Sequence, residues 1–130
     1  MAKHNEIGAI GEETVANFLI RKGFHIVCRN YRKKWGEIDI VALKDNEVHF
    51  IEVKTVSRRA IDGSFPKEIN NYRPEDNMHP RKLKRLQRAI QSYLLEKYKK
   101  DPDWQFDLAC LYLDPVNRIA KVNFIENMIL

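Results

Sequence analysis

Asp39, Glu52 and Lys54 stand inside two otherwise apolar runs, 38–43 and 48–54. Charges in such strand-like segments are costly to desolvate unless they are paired or bound to a metal. Between the runs, Lys44-Asp45-Asn46-Glu47 is a turn-type tetrapeptide. With Asp45-Asn46 at a hairpin tip, Leu43 opposes Val48, Val41 opposes Phe50 and Asp39 opposes Glu52. Opposed residues on one sheet face have Cβ atoms about 5 Å apart. Side chains alternate between faces, so Lys54 joins Glu52. Two carboxylates this close repel unless they share a proton or a divalent cation.

Hydrolysing a phosphodiester requires neutralising an anionic in-line transition state and supplying a water nucleophile. Mg²⁺ or Mn²⁺ held by a few carboxylates does both. A lysine beside it stabilises the developing charge or orients the water. Asp39 and Glu52 are therefore the candidate metal ligands, and with Lys54 the candidate catalytic groups. The plain alternative is a hairpin whose mixed charges form a salt bridge near its exposed end.

These residues need elements to hold them. Residues 5–22 predict a helix whose apolar stripe contains Ile7, Val15, Ala16, Phe18 and Leu19. Glu12 falls within that stripe and faces the body of the protein, while Glu13 points to solvent. Gly8 and Gly11 on the same side would admit a close neighbour, and Gly23 stops the helix. Strands are expected at 24–28, about 37–43 and about 47–55, with a basic connection at 29–35. Residues 57–79 hold Gly63, Pro66 and Pro74 and lack a period, which predicts a long loop whose residues 60–79 are mobile alone and order on nucleic acid. Pro80 opens a second helix to about Tyr98, with Leu83, Leu86, Ile90, Tyr93 and Leu94 on one side and Arg81, Lys84, Arg85 and Arg88 opposite. A hairpin closes the chain, with its turn at 114–117. Helix, three strands, helix and two strands make an α/β or α+β sheet with packed helices, in one domain spanning 1–130.

The chain has 130 residues, is 44% hydrophobic and 32% charged, and carries a formal charge of +5. No apolar stretch reaches the roughly 20 residues of a membrane helix. The first residues lack the apolar core of a signal peptide, so the cytoplasm is expected. Cys28 and Cys110 read as small buried hydrophobes, and the four histidines show no zinc spacing. Residues 14–35 contain six basic residues and no acid, and residues 78–100 contain eight basic residues and one acid. The blocks make Arg32, Lys33, Lys34, Arg81, Lys82, Lys84, Arg85 and Arg88 candidates for binding phosphates, against solvated helix faces as the bland reading.

Gly11-Glu12, Arg29-Asn30, Gly36-Glu37-Ile38-Asp39-Ile40 and Glu52-Val53-Lys54 together resemble the motif set of the YraN-type family of endonuclease-like proteins. That family is similar to archaeal Holliday junction resolvases in the restriction-endonuclease-like superfamily. Lys82 followed by Leu83, Leu86 and Tyr93-Leu94 looks like its basic second helix. Phe106-Asp107 looks like its Arg-Phe-Asp strand, with Gln105 where arginine is usual. The stretch 60–79 looks longer than usual for the family. The resemblance implies an α-β-β-β-α-β core with a central mixed sheet flanked by helices. It puts Asp39, Glu52 and Lys54 on metal and catalytic positions and Glu12 on the helix acid. It implies Mg²⁺ or Mn²⁺ as cofactor and DNA as partner. Resolvase-like enzymes act as two-fold dimers on paired cut sites, so a second copy is a candidate partner. Leu111, Leu113 and Met128-Ile129-Leu130 are candidates for its surface, with ordinary core as the plainer reading.

Three functions follow. The first is a metal-dependent endonuclease acting on DNA, on branched or repair intermediates. The second is a non-catalytic nucleic-acid-binding module with the same fold. The third is a structural protein whose strand charges are only an ion-pair cluster.

Overall fold

The structure, a computed structural model, describes residues 3–57 and 78–130. It contains α1 (Lys3–Arg21), β1 (His25–Lys33), β2 (Gly36–Lys44), β3 (Glu47–Ser57), α2 (Pro80–Lys97), β4 (Trp104–Asp114) and β5 (Ile119–Met128). The strands form one five-stranded sheet in the order β1-β2-β3-β4-β5. The β3–β4 pair is parallel and the other three pairs are antiparallel. A parallel pair needs a crossover, and the segment carrying α2 supplies it. The architecture is α/β with a mixed sheet, and the described residues follow the expected order of elements.

Local chemistry explains where the elements stop. Gly23 takes φ 94°, its N–H donates to Ile20 O at 3.1 Å, and Phe24 N–H donates to Leu19 O at 3.0 Å. This is a Schellman end to α1. Asp45 and Asn46 have φ of 52° and 63°, as a two-residue primed turn requires. α2 begins with Pro80 after an N-cap at His79, whose Nδ1 accepts from Arg81 N at 3.1 Å.

Two apolar layers cover the sheet. α1 buries Val15, Ala16 and Leu19 against Ile40, Ala42, Ile51, Ala109 and Leu111 on one face. α2 buries Leu86, Ala89, Ile90 and Tyr93 against Ile38, Val41, Val48, Phe50 and Phe106 on the other. At roughly 2 kcal/mol per large side chain, each layer is a major source of stability.

Two expectations change. β1 continues through Arg29 to Lys33, so the expected basic connection is strand. Cross-strand pairing to Gly36–Ile40 extends it, which the charge-rich sequence concealed. Gly8 faces open space; Gly11 alone makes the close approach, where an added Cβ would collide with the Thr55 hydroxyl. Leu111 and Leu113 are core, at 0% and 6% exposure, as their plainer reading has it. The expected loop at about 57–79 lies mostly outside the described residues. No described helix is long and apolar enough to cross a membrane.

One irregularity positions the site. In β2, Ile40 packs with α1, while Ile38 packs with α2. Residues two apart on a regular strand share a face, so the alternation slips at Asp39. On β1, Asn30 stands between the Arg29–Ile40 and Tyr31–Ile38 pairs and takes φ 55°. The β2–β3 ladder runs in the expected register from Lys44–Glu47 to Ile40–Ile51. Asp39 and Glu52 come next, where the alternation breaks.

Candidate functional site

At that break the side chain of Asp39 takes over from the ladder: Val53 N–H donates to Asp39 Oδ2 at 2.8 Å. Glu52 hydrogen-bonds Asp39. Glu12, Glu37, Asp39 and Glu52 line a cavity of about 360 Å³ beneath α1, together with Gly8 and Thr55. The tight Gly11–Thr55 contact presses α1 onto β3 there and so delivers Glu12. Arg29 Nη1 pairs instead with the solvent-facing Glu13 at 2.8 Å.

Glu12, Asp39 and Glu52 titrate abnormally. Burial first, and the Asp39 charge second, push Glu52 up to about 8; Lys82 pulls it down. Burial likewise raises Asp39, opposed by the Val53 N–H and by the bond from Glu52. The physical sense is one proton held between two carboxyls, with Glu52 donating to Asp39. Glu12 is raised by burial and then by Asp39, against the charge of Arg29 and a hydrogen bond from Asn30. Its Oε1 is buried and has no hydrogen-bond partner.

Glu52 also opens onto the other side of the sheet. It lines a larger groove, of about 630 Å³, with Arg32, Lys33, Gly36, Glu37, His79, Arg81, Lys82, Arg85 and Leu86. Lys82 Nζ lies 3.3 Å from Glu52 Oε1. Gly36 makes this groove narrow at its wall, since a Cβ there would collide with the Arg85 carbonyl. The carboxylate cavity and the basic groove thus meet at Glu37 and Glu52.

The profile of the family described as "Uncharacterised protein family UPF0102" matches residues 11–111. The chain is 34% identical over 117 residues to a UPF0102 protein of Campylobacter jejuni subsp. doylei, covering 90% of this chain and 93% of that one. A UPF0102 protein of Alkaliphilus oremlandii is 34% identical over 124 residues, 95% of this chain and 97% of its own. One from Caldicellulosiruptor saccharolyticus is 32% identical over 122 residues, covering 94% and 95%. The chain belongs to the UPF0102 family.

The UPF0102 match contains every candidate site residue, from Glu12 to Arg88, and ends inside β4. Of those residues the structure brings Glu12, Asp39 and Glu52 to one cavity. It brings Arg32, Lys33, Arg81, Lys82 and Arg85 to the groove. Arg88 stands beyond, over the Trp35 ring. Lys34 and Lys84 are exposed and lie outside the groove lining. Lys54 is half-buried beside Cys110 of β4, whose thiol burial raises against a hydrogen bond with Tyr112 and the Lys54 charge; Lys54 lines neither cavity.

Glu37 and Asn30 were not singled out by charge or period, yet both reach the carboxylates. For Glu37 a signal existed, since it shares the parity of Asp39. For Asn30 the signal is its type, because Asn tolerates the left-handed backbone the break requires. Among the described residues, no three His, Cys, Asp or Glu side chains are grouped to hold one metal ion. Mg²⁺ needs only one or two carboxylates and keeps several waters. The shared proton between Asp39 and Glu52, and the orphaned oxygen of Glu12, fit such a group.

Proposed function

We propose that this UPF0102 protein is a Mg²⁺- or Mn²⁺-dependent endonuclease with a restriction-endonuclease-like core, hydrolysing DNA phosphodiester bonds in branched or repair intermediates in the cytoplasm. The observation that carries this reading is the meeting of two environments at Glu52: a buried, proton-sharing acid pair and a basic groove. Stability alone gives no reason to crowd acids in this way.

Asp39 and Glu52 would hold the metal, which when bound activates water and neutralises the phosphate. Glu12, whose Oε1 has no hydrogen-bond partner, would be the acceptor that orients a water in the cavity. Lys82, 3.3 Å from Glu52, supplies positive charge to the phosphate side; Lys54, two residues further along β3 and outside both linings, keeps the catalytic-lysine role only on the family resemblance. Arg32, Arg81 and Arg85 fix the backbone of the nucleic acid without reading its sequence.

The test is cleavage of linear, nicked and four-way DNAs with Mg²⁺, Mn²⁺, Ca²⁺ or chelator. Cutting is expected with Mg²⁺ or Mn²⁺ and little with Ca²⁺, which tolerates looser geometry. Equal cutting by wild type and Asp39→Asn overturns the reading. The non-catalytic binding module is favoured by one observation, the position of Lys54 outside the acid cavity; DNA binding without metal-dependent cutting supports it.

A further inference from the structure

Trp35 occupies the turn between β1 and β2 and is 38% exposed, although its polar atoms are fastened. Its Nε1–H donates to Ser92 Oγ at 2.9 Å, and its carbonyl accepts from Arg85 Nε at 3.4 Å. Ser92 in turn donates to Arg88 O at 3.0 Å. The Arg88 guanidinium sits over the ring, 5.9 Å from its centroid. Beside it, Gly36 packs directly on the α2 backbone. The indole is therefore held rigidly on α2, backed by a cation, with open surface toward solvent.

Its location gives that surface a use. Arg85 both binds the Trp35 carbonyl and lines the groove that reaches Glu52. From Lys82, at Glu52, to Arg88, at Trp35, is six residues of α2, or about 9 Å at 1.5 Å per residue. That spans two to three nucleotides at about 3.4 Å each. A rigid aromatic at the end of a basic track is what a base needs for stacking, and a paired base inside a duplex does not offer its face.

We infer that Trp35, backed by Arg88, is a stacking platform for an unpaired base two to three nucleotides from the carboxylate centre. The substrate is then DNA with an unpaired or splayed nucleotide beside the cut, not continuous duplex. This rests on the nuclease reading for its substrate but not for its test. The competing role for Trp35 is a plain anchor of the turn on α2.

The experiment is equilibrium binding by the full chain, in Ca²⁺, to one labelled duplex and to the same duplex carrying unpaired nucleotides. Wild type is expected to prefer the latter. Trp35→Leu keeps apolar bulk and should lose that preference by about five- to a hundred-fold, with duplex affinity unchanged. Trp35→Phe keeps the ring but not the Ser92 bond and should retain the preference. Ser92→Ala removes one anchor but leaves the Arg85 bond to the Trp35 carbonyl and the Gly36 contact, so it should retain the preference too. Equal preference in Trp35→Leu and Trp35→Phe overturns the inference, as does loss of preference in Ser92→Ala. Wild type that binds DNA with no preference overturns it while leaving the nuclease reading intact. Failure of wild type to bind any DNA overturns both.

Discussion

β3 carries two buried titratable residues three positions apart, His49 and Glu52, at 4% and 7% exposure. They have opposite surroundings. His49 Nδ1 lies 2.6 Å from Asp107 Oδ2. Asp107 Oδ1 accepts from Gln105 Nε2 at 2.7 Å and from Asn127 N at 2.9 Å. Asp107 is fully buried and satisfied, and its bonds tie β3, β4 and β5 together. Glu52 instead shares a cavity with Asp39, Glu37 and Glu12, whose Oε1 is orphaned, and meets the exposed Lys82 at 3.3 Å. Satisfied burial of charge holds a fold, and unsatisfied burial of like charges waits for a ligand.

The largest expected effect tests that contrast directly. Asp39→Asn and Glu52→Gln should each lower metal-dependent cleavage by about 10²–10³-fold, the range for losing one preorganised electrostatic group. Both should keep the fold and DNA binding, because relieving like-charge repulsion rarely unfolds a protein. Metal titration separates them from Lys54→Ala, which should lose cleavage while metal still binds. Asp107→Ala should do the reverse, costing about 3–5 kcal/mol of stability by stranding buried groups. Thermal melts and cleavage rates on the same preparations decide the matter. An Asp107→Ala protein as stable as wild type would erase the distinction between the two clusters.

Acid titration sharpens it next. Glu52 moves from an ordinary 4.5 to about 8 on folding. The folded state then binds this proton more tightly than the unfolded chain does. Stability from this group is full below about pH 4.5 and is lost as pH rises through about 8. Glu52→Gln should flatten that decline in urea or thermal unfolding. Added Mg²⁺ competes with the same proton, so it should restore stability most near the upper end of the window. A wild-type profile as flat as that of Glu52→Gln would show that the acid pair is not strained.

The basic groove gives a smaller effect. Arg85→Ala should reduce the slope of log affinity against log salt by about one, uniformly across DNA sequences. Lys84→Ala, outside the groove, should leave the slope nearly unchanged. Equal slopes for both variants would reduce α2 to a solvated face.

Much of this was legible in the residues. Asp45-Asn46 fixed the hairpin, so the register to Ile40–Ile51 followed from turn chemistry and apolar pairing. Glu12, not Glu13, was recognisable from the helical period, because only one of two adjacent residues can face inward. Other features were hidden. The extension of β1 through Asn30-Tyr31-Arg32 comes from long-range pairing, which local composition contradicts. The slip at Asp39 depends on how β2 lies across two neighbours, and no period records that. Lys82 looked like one phosphate-binding residue among several. Its approach to Glu52 depends on where the crossover sets α2 down.

The smallest effect belongs to Glu12, and it probes the orphaned oxygen itself. Burial and the Asp39 charge raise its carboxyl, so its contribution to stability also declines as pH rises past the ordinary carboxylate range. Glu12→Gln removes the charge but keeps the shape, and its amide oxygen can still accept from Asn30. Stability above neutral pH should therefore rise slightly. If the orphaned oxygen serves metal-bound water, Mg²⁺ affinity should fall about tenfold, the lower range for loss of an outer partner. Cleavage should fall by less than in Asp39→Asn, because the two direct carboxylates remain. Calorimetric Mg²⁺ titration at fixed pH reads this without any DNA. Unchanged Mg²⁺ affinity and cleavage in Glu12→Gln would detach the helix acid from the site. The vacant hydrogen-bonding position at Oε1 would then be a cost of packing Gly11 against Thr55, with no ligand to explain it.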